Sequence, residues 1–349
     1  VSLLDRLGIE HPIMLGPLGG GPATPELVAA VSAAGGLGFL GAAYQTPDQI
    51  RDSVARIRAL TDRPFGINLF AGAWDRAASG DSGPALEILA PIHARLGIDP
   101  PFLPRLPPDP YPAQLEVVLD LRPAIFSFTF GPPSPQDMAR LKAAGILVFG
   151  KATTLAEARM IEALGADAVV AQGAEAGAHR GTFFGPFEAA MVPVLDLVAA
   201  IGAAVSIPVL ASGGLMDGAD IAAALRAGAI AAKLGTAFLA TPESGAAPAY
   251  KAALLAAGDA PTVLTTAFSG RPARGLPNAF VEAFTGREES ILPYPLQNAL
   301  TRPMRAAAAA QGRHEYLSLW AGTGIGRIRA LPAGDLVRVL AAELRVALA

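Results

Sequence analysis

The chain has 349 residues, a formal net charge of −3, 16% charged residues and no cysteine, with a pI near 5.9. Zero cysteines exclude disulfides, thiolate metal sites and a cysteine nucleophile, and the lack of any basic run excludes the electrostatic footprint of a nucleic-acid binder. Hydrophobic residues reach 52% and mean hydropathy is +0.41, yet the longest apolar stretch, AAMVPVLDLVAAIGAAV, carries Pro193 and Asp196 and reads as a buried helix rather than a membrane span. The opening VSLLDRLGIEHP has neither a basic n-region nor an apolar h-region, so a cytoplasmic location is expected.

From the N-terminus to about residue 256, short apolar or β-branched runs alternate with alanine-rich amphipathic segments, the pattern of repeated βα units. Eight strands are predicted: PIMLGP from Pro12, GFLGA from Gly38, FGINLF from Phe65, AIFSFT from Ala124, LVFGKA from Leu147, AVVAQ from Ala168, PVLASG from Pro208 and AAKLGT from Ala231. Helices between them have readable starts, with Thr24 capping a segment that has Pro25 at its first position and Gly35 as its stop, and Asp217 capping DGADIAAALRAGA. Eight such units predict an α/β fold of the TIM (β/α)₈ barrel type. Residues 72–121, with a Pro-rich middle, read as an excursion inserted after the third strand. The barrel is expected over 1–256, and the apolar segment 257–349, with Trp320, as a C-terminal cap packed on it.

In such a barrel the chemistry sits just past the strand ends. His179, one of four histidines, follows the sixth strand by seven residues in QGAEAGAHRG, where Gly173, Gly177 and Gly181 allow close backbone approach to a ligand. The competing reading is a surface loop that happens to hold a histidine. Strands seven and eight end in ASGGLMDG and KLGTAFL, where the N–H groups of Gly213, Gly214, Gly235 and Thr236 are placed to cradle a phosphate or simply to make tight turns. Asn68 and Gln172 end strands three and six, either as satisfied core amides or as paired donors and acceptors for a planar heterocycle. Lys151 ends strand five, as a snorkelling surface lysine or as a cation in the barrel mouth. No metal-ligand spacing exists among the histidines, so no metal is expected. The combination points to a phosphorylated flavin.

The blocks TPELVAAVSAAGGLGFLGA, FGINLF, FSFTFG, QGAEAGAHRG, VLASGGLMDGADIAAAL, KLGTAFL, FSGRPARG and YPLQNALTRPMRAAAA, in this order over nearly the whole chain, resemble the nitronate monooxygenase (2-nitropropane dioxygenase) family. The resemblance implies an FMN-dependent TIM barrel that oxidises alkyl nitronates with O₂ to a carbonyl compound and nitrite, with a small-molecule nitronate and O₂ as its partners. It further implies that Gly214, Gly235 and Thr236 hold the FMN phosphate, that Asn68, Gln172 and Gly177 touch the flavin or its ribityl chain, and that His179 is the catalytic histidine. Gly16, Lys151, Gly213 and Lys233 complete the expected cofactor set. Three positions depart from the family pattern: LGPLGGG in the first strand, Ala178 in place of a frequent Gly, and Lys233 where Gln is common. An NADH-dependent FMN enoyl-thioester reductase and a non-catalytic flavin-binding protein are the alternatives. Arg271 and Arg274 of SGRPARG either lock the cap to the barrel or meet substrate, and Tyr294 and Asn298 either line the pocket or pack.

Overall fold

A computed structural model of the chain describes residues 2–72 and 79–349; positions 73–78 of the expected excursion lie outside the described residues. Eight parallel strands form the central sheet: β1 (Ile13–Leu15), β2 (Gly38–Gly41), β3 (Phe65–Phe70), β4 (Ile125–Thr129), β5 (Leu147–Ala152), β6 (Ala168–Gln172), β8 (Val209–Ser212) and β9 (Ala231–Leu234). Their order is β1-β9-β8-β6-β5-β4-β3-β2, and a parallel bridge between Met14 and Leu37 joins the two ends. The sheet is therefore a closed (β/α)₈ barrel, with all eight strands where the apolar runs predict them. Thr24 and Asp217 accept from the backbone N–H three residues on and cap their helices, a contact typically worth about 1 kcal/mol.

Strand residues alternate between the barrel interior and the helix layer. Met14, Phe39, Ile125, Phe149, Val170, Leu210 and Ala231 turn inward and fill the floor of the barrel. Two residues further along the same strands, the interior layer becomes polar: Lys151 follows Phe149, Gln172 follows Val170, Ser212 follows Leu210 and Lys233 follows Ala231. Three adjacent strands carry this layer in register, since Lys233 is paired with Ser212, and Ser212 with Gln172. An apolar floor below a polar layer leaves a polar-lined chamber at the C-terminal ends of the strands.

The two expected additions divide in the structure. Within the excursion, helix Tyr111–Leu121 packs on helix Pro47–Leu60 and on β3 as a barrel wall helix, whereas helix Gly83–Leu96 joins a second apolar core with helices Pro248–Ala256 and Leu296–Ala310. Within 257–349, helix Ala333–Leu348 returns to the barrel wall and packs on helix Gly218–Arg226 and helix Pro25–Ala33. A small antiparallel sheet, in the order β10-β11-β7, ties the second core to the barrel. Here β10 is Val263–Thr265, β11 is Ala273–Gly275 and β7 is Ala178–His179. No described helix is long and apolar enough to cross a membrane.

Candidate active site

His179 does not sit in a free loop. It belongs to β7, where it pairs with Ala273 while Ala178 pairs with Arg274. Ala178 takes φ +60, the left-handed region that costs a residue with a Cβ roughly 1–2 kcal/mol. This explains why a glycine suits the position. Gly177 and Gly181 meet protein instead of open space: a Cβ at 177 would lie 2.5 Å from the Gly322 nitrogen, and one at 181 would lie 2.5 Å from the Lys151 side chain.

Around the ring, His179 Nε2 lies 2.8 Å from Ser269 Oγ, and Ser269 Oγ lies 3.2 Å from the Arg271 carbonyl. Phe130 meets His179 edge-on at 5.7 Å and Trp320 lies 5.6 Å away. Phe130 itself adopts φ +71, a second strained residue of the kind that collects at functional sites. The Gln172 amide holds the same loop with one bond at each end, donating from Nε2 to the His179 carbonyl (3.0 Å) and accepting at Oε1 from the Gly181 N–H (2.7 Å). Asn68 Oδ1 accepts from Ser127 and Thr129, and its Nδ2 donates to the Leu69 carbonyl at 3.4 Å.

His179 and the ten residues of the expected cofactor set all line one cavity of about 470 Å³: Gly16, Asn68, Lys151, Gln172, Gly177, His179, Gly213, Gly214, Lys233, Gly235 and Thr236. Its described lining carries four cationic side chains, Lys151, Lys233, Arg302 and Arg305, and no carboxylate. The field shows in the ionisation of the lining groups. Burial, with Arg271, Arg305 and Lys151 nearby, pushes His179 down to about 3, so the ring is neutral. Burial, with Arg180 beside it, lowers Lys151 to about 8, and burial plus Lys151 holds Lys233 well below the usual lysine range. Lys233 Nζ rests 3.4 Å above the Phe39 ring of the floor, and burial brings Arg305 to about 10.

One end of the cavity has a different character. Gly213 and Gly214 take successive positive φ values, +130 and +70. Among the described residues, the backbone N–H groups of Gly213, Gly214, Gly235 and Thr236 find no acceptor. All four residues line the cavity, and unpaired backbone N–H groups in such a concavity are suited to an anion.

Ser269, Arg180 and Glu157 carried no usable sequence signal, whereas Arg271, Arg274, Tyr294 and Asn298 were candidates whose places the structure now gives. Ser269 meets His179 across 90 positions. Arg180 is 1% exposed and holds the loop by donating to the carbonyls of Gln172, Gly173 and Ala190. Glu157, fully buried, accepts from Thr153, Phe183 and Phe184 on the far side of the same loop. Arg271 reaches the Thr182 carbonyl at 2.7 Å and stacks over Phe130, while Arg274 donates to the Ala174 carbonyl at 3.0 Å, so both join the second core to the β6 loop. Asn298 accepts from Arg305, and Tyr294 packs on Phe130.

The family model described as nitronate monooxygenase matches residues 2–343. The chain belongs to the nitronate monooxygenase family. It is 43% identical to a nitronate monooxygenase of Pseudomonas aeruginosa, with 97% of each chain covered. It is 42% identical to that of Paraburkholderia phytofirmans, with 99% of this chain and 95% of the relative covered. Among solved structures, a nitroalkane oxidase from Streptomyces ansochromogenes superposes with a TM-score of 0.93 at 46% identity, covering 99% of both chains. FabK from Thermotoga maritima gives 0.78 at 30% identity, covering 99% of this chain and 96% of its own. Membership makes this protein a flavin-dependent oxidoreductase, and the family supports oxidation of nitronates.

Proposed function

We propose that the protein binds FMN and uses O₂ to oxidise alkyl nitronates to a carbonyl compound and nitrite. The observation that carries this reading is the charge of the cavity: four cationic side chains and no carboxylate line it, which selects an anionic occupant. The residues fit a phosphorylated flavin. Four unpaired N–H groups at Gly213, Gly214, Gly235 and Thr236 match a terminal phosphate, as anion sites at strand–helix junctions of barrels do. Asn68, Gln172, Gly177, Gly16, Lys151 and Lys233 are the groups we assign to the ring system and its chain. Bound FMN would supply the acceptor for the substrate's electrons and pass them on to oxygen.

The remaining chemistry falls to the protein. A nitronate already carries the charge that the lysines and arginines favour, so binding and orientation require no proton transfer. His179, kept neutral, contributes a hydrogen bond whose direction is set by Ser269. With a neutral nitroalkane, His179 is the group in place to take the α-proton. That transfer is harder because surrounding cations disfavour an imidazolium, and it becomes feasible only as negative charge develops on the nitro oxygens. Preformed nitronates are therefore the better substrates. The test is nitrite release in air from a nitronate, set against NADH oxidation in its absence. Nitrite without NADH consumption supports the proposal, NADH oxidation without nitrite supports the enoyl-thioester reductase alternative, and neither leaves a flavin-binding protein without turnover.

A further inference from the structure

A second cavity, of about 180 Å³, lies between helix Gly83–Leu96, the segment 98–104 and helix Leu296–Ala310. It is separate from the first, because helix Leu296–Ala310 turns Asn298, Arg302 and Arg305 to one cavity and Ala299, Leu300 and Pro303 to the other. Its wall is apolar, with Ile98, Pro100, Pro101 and Leu300. One polar side chain enters from the interior: His93, 3% exposed. Its Nδ1 lies 2.6 Å from the Asp99 carbonyl oxygen. A carbonyl only accepts, so in the neutral ring Nδ1 carries the hydrogen and Nε2 is left as a bare acceptor. That Nε2 is buried and has no hydrogen-bond partner.

A second acceptor belongs to Ala299, a residue of the same wall. Residue 303 inside helix Leu296–Ala310 is proline, which has no N–H, so the Ala299 carbonyl loses the donor that the residue four positions on would supply. Pro100, Pro101 and Pro104 offer no backbone N–H either. Asp99, an exposed carboxylate residue, lines the cavity too, and Phe102, 68% exposed, adds an aromatic ring. The site thus offers acceptors, negative charge and apolar wall, while its prolines withhold donors.

We infer that this cavity binds a small organic primary ammonium ion, whose apolar body fills the proline-lined space and whose N–H groups donate to His93 Nε2 and the Ala299 carbonyl. An ammonium has three donors and no acceptor, which complements the wall, and both a carboxylate and an aromatic face favour positive charge. A cavity of about 150 Å³ is enough for a benzene ring, so benzylammonium is of the right scale.

The experiment titrates the full-length protein, as isolated, with benzylamine at about pH 8, between the ordinary ranges of imidazole and alkyl amines. Histidine ring ¹⁵N signals are read by NMR, with toluene and benzyl alcohol as controls. Saturable movement of the His93 Nε2 signal is expected, with affinity about tenfold or more weaker in His93→Phe. Toluene should bind more weakly than the amine. Pro303→Ala returns an N–H to the Ala299 carbonyl, and because it trims the wall for both ligands alike it should weaken the amine severalfold more than it weakens toluene. Equal amine affinity in parent and Pro303→Ala, toluene binding as tightly as the amine, or no saturable shift at all, as for a cavity that holds only water, would each overturn the assignment.

Discussion

Lys151 gives the most quantitative handle on the cavity. Burial and the Arg180 cation lower it from 10.5 to about 8, so the ligand-free protein loses this ammonium within an accessible pH range. An anionic, acceptor-rich ligand seated beside it favours the charged form. Full return to 10.5 would raise the pKa by 10.5 − 8 = 2.5, and at about 1.36 kcal/mol each this couples about 3.4 kcal/mol, or roughly 300-fold in affinity. Desolvation by the ligand offsets part of it, so this is an upper bound. The sign follows from the raised pKa in the complex. Below about pH 8 the lysine is charged with and without FMN, and affinity is insensitive to it. Above, the free protein gives up a proton that the complex keeps, so the Kd for FMN rises with pH, approaching tenfold per unit. Apoprotein titrated with FMN by fluorescence quenching, from about pH 7 upward where the phosphate is already mostly dianionic, measures this directly. Lys151→Met should weaken binding at neutral pH and remove the steep limb above 8, and it also lifts the Lys151 contribution to the lowering of Lys233. Parallel pH profiles for parent and Lys151→Met would refute the placement of Lys151 against the flavin.

His179→Asn is expected to lower turnover of neutral nitroalkanes by about 10²- to 10⁴-fold, the contribution of a positioned base, with a smaller loss for preformed nitronates. Because the His179 ring stays neutral down to about pH 3, the kcat/KM profile for a nitronate should lack a histidine limb near 6.5, and a limb there that disappears in His179→Asn would contradict the cationic field. Ser269→Ala removes the 2.8 Å contact to Nε2 and should cut kcat about tenfold with little change in KM, the reverse pattern counting against a positioning role. Gly214→Leu puts a Cβ at φ +70 and 2.8 Å from Glu175 Cβ; the expected product keeps its far-ultraviolet circular dichroism but purifies without flavin absorbance, and normal flavin content would remove Gly214 from the phosphate nest.

The barrel was legible because each strand is a short apolar run cut off by Gly, Pro or a capping residue, as in PVLASGG before Asp217. Local signals of that kind survive in a single sequence. The strand-end residues were legible for a related reason: a predicted strand end puts Lys151 at the barrel mouth, whereas Lys233 was marked only by the family resemblance. Contacts between distant segments left no such mark. Nothing in AFSGRPARG announces that its serine meets a histidine 90 positions earlier, or that Ala178 and His179 form a strand only because β11 is there to pair with them. Glycines in the β6 loop read as room for a ligand, yet the bodies that approach Gly177 and Gly181 are the 321–322 backbone and the Lys151 side chain. Composition records that a close approach exists and not what makes it.

The wall of the barrel is completed by helix Ala333–Leu348, nearly a hundred residues after the last barrel strand, and β7 has no partner until Ala273–Gly275 exists. During synthesis, all eight barrel strands leave the ribosome before either of these pieces. A nascent chain ending near residue 256 holds the full set of barrel strands while apolar surface opposite Leu336, Val337 and Leu340 is still bare, which is a sticky intermediate. Contacts of such high sequence separation form late and slowly. Premature termination before residue 333 is therefore expected to leave that surface bare and the chain prone to aggregate, a loss that a shorter chain with every barrel strand present would not by itself reveal.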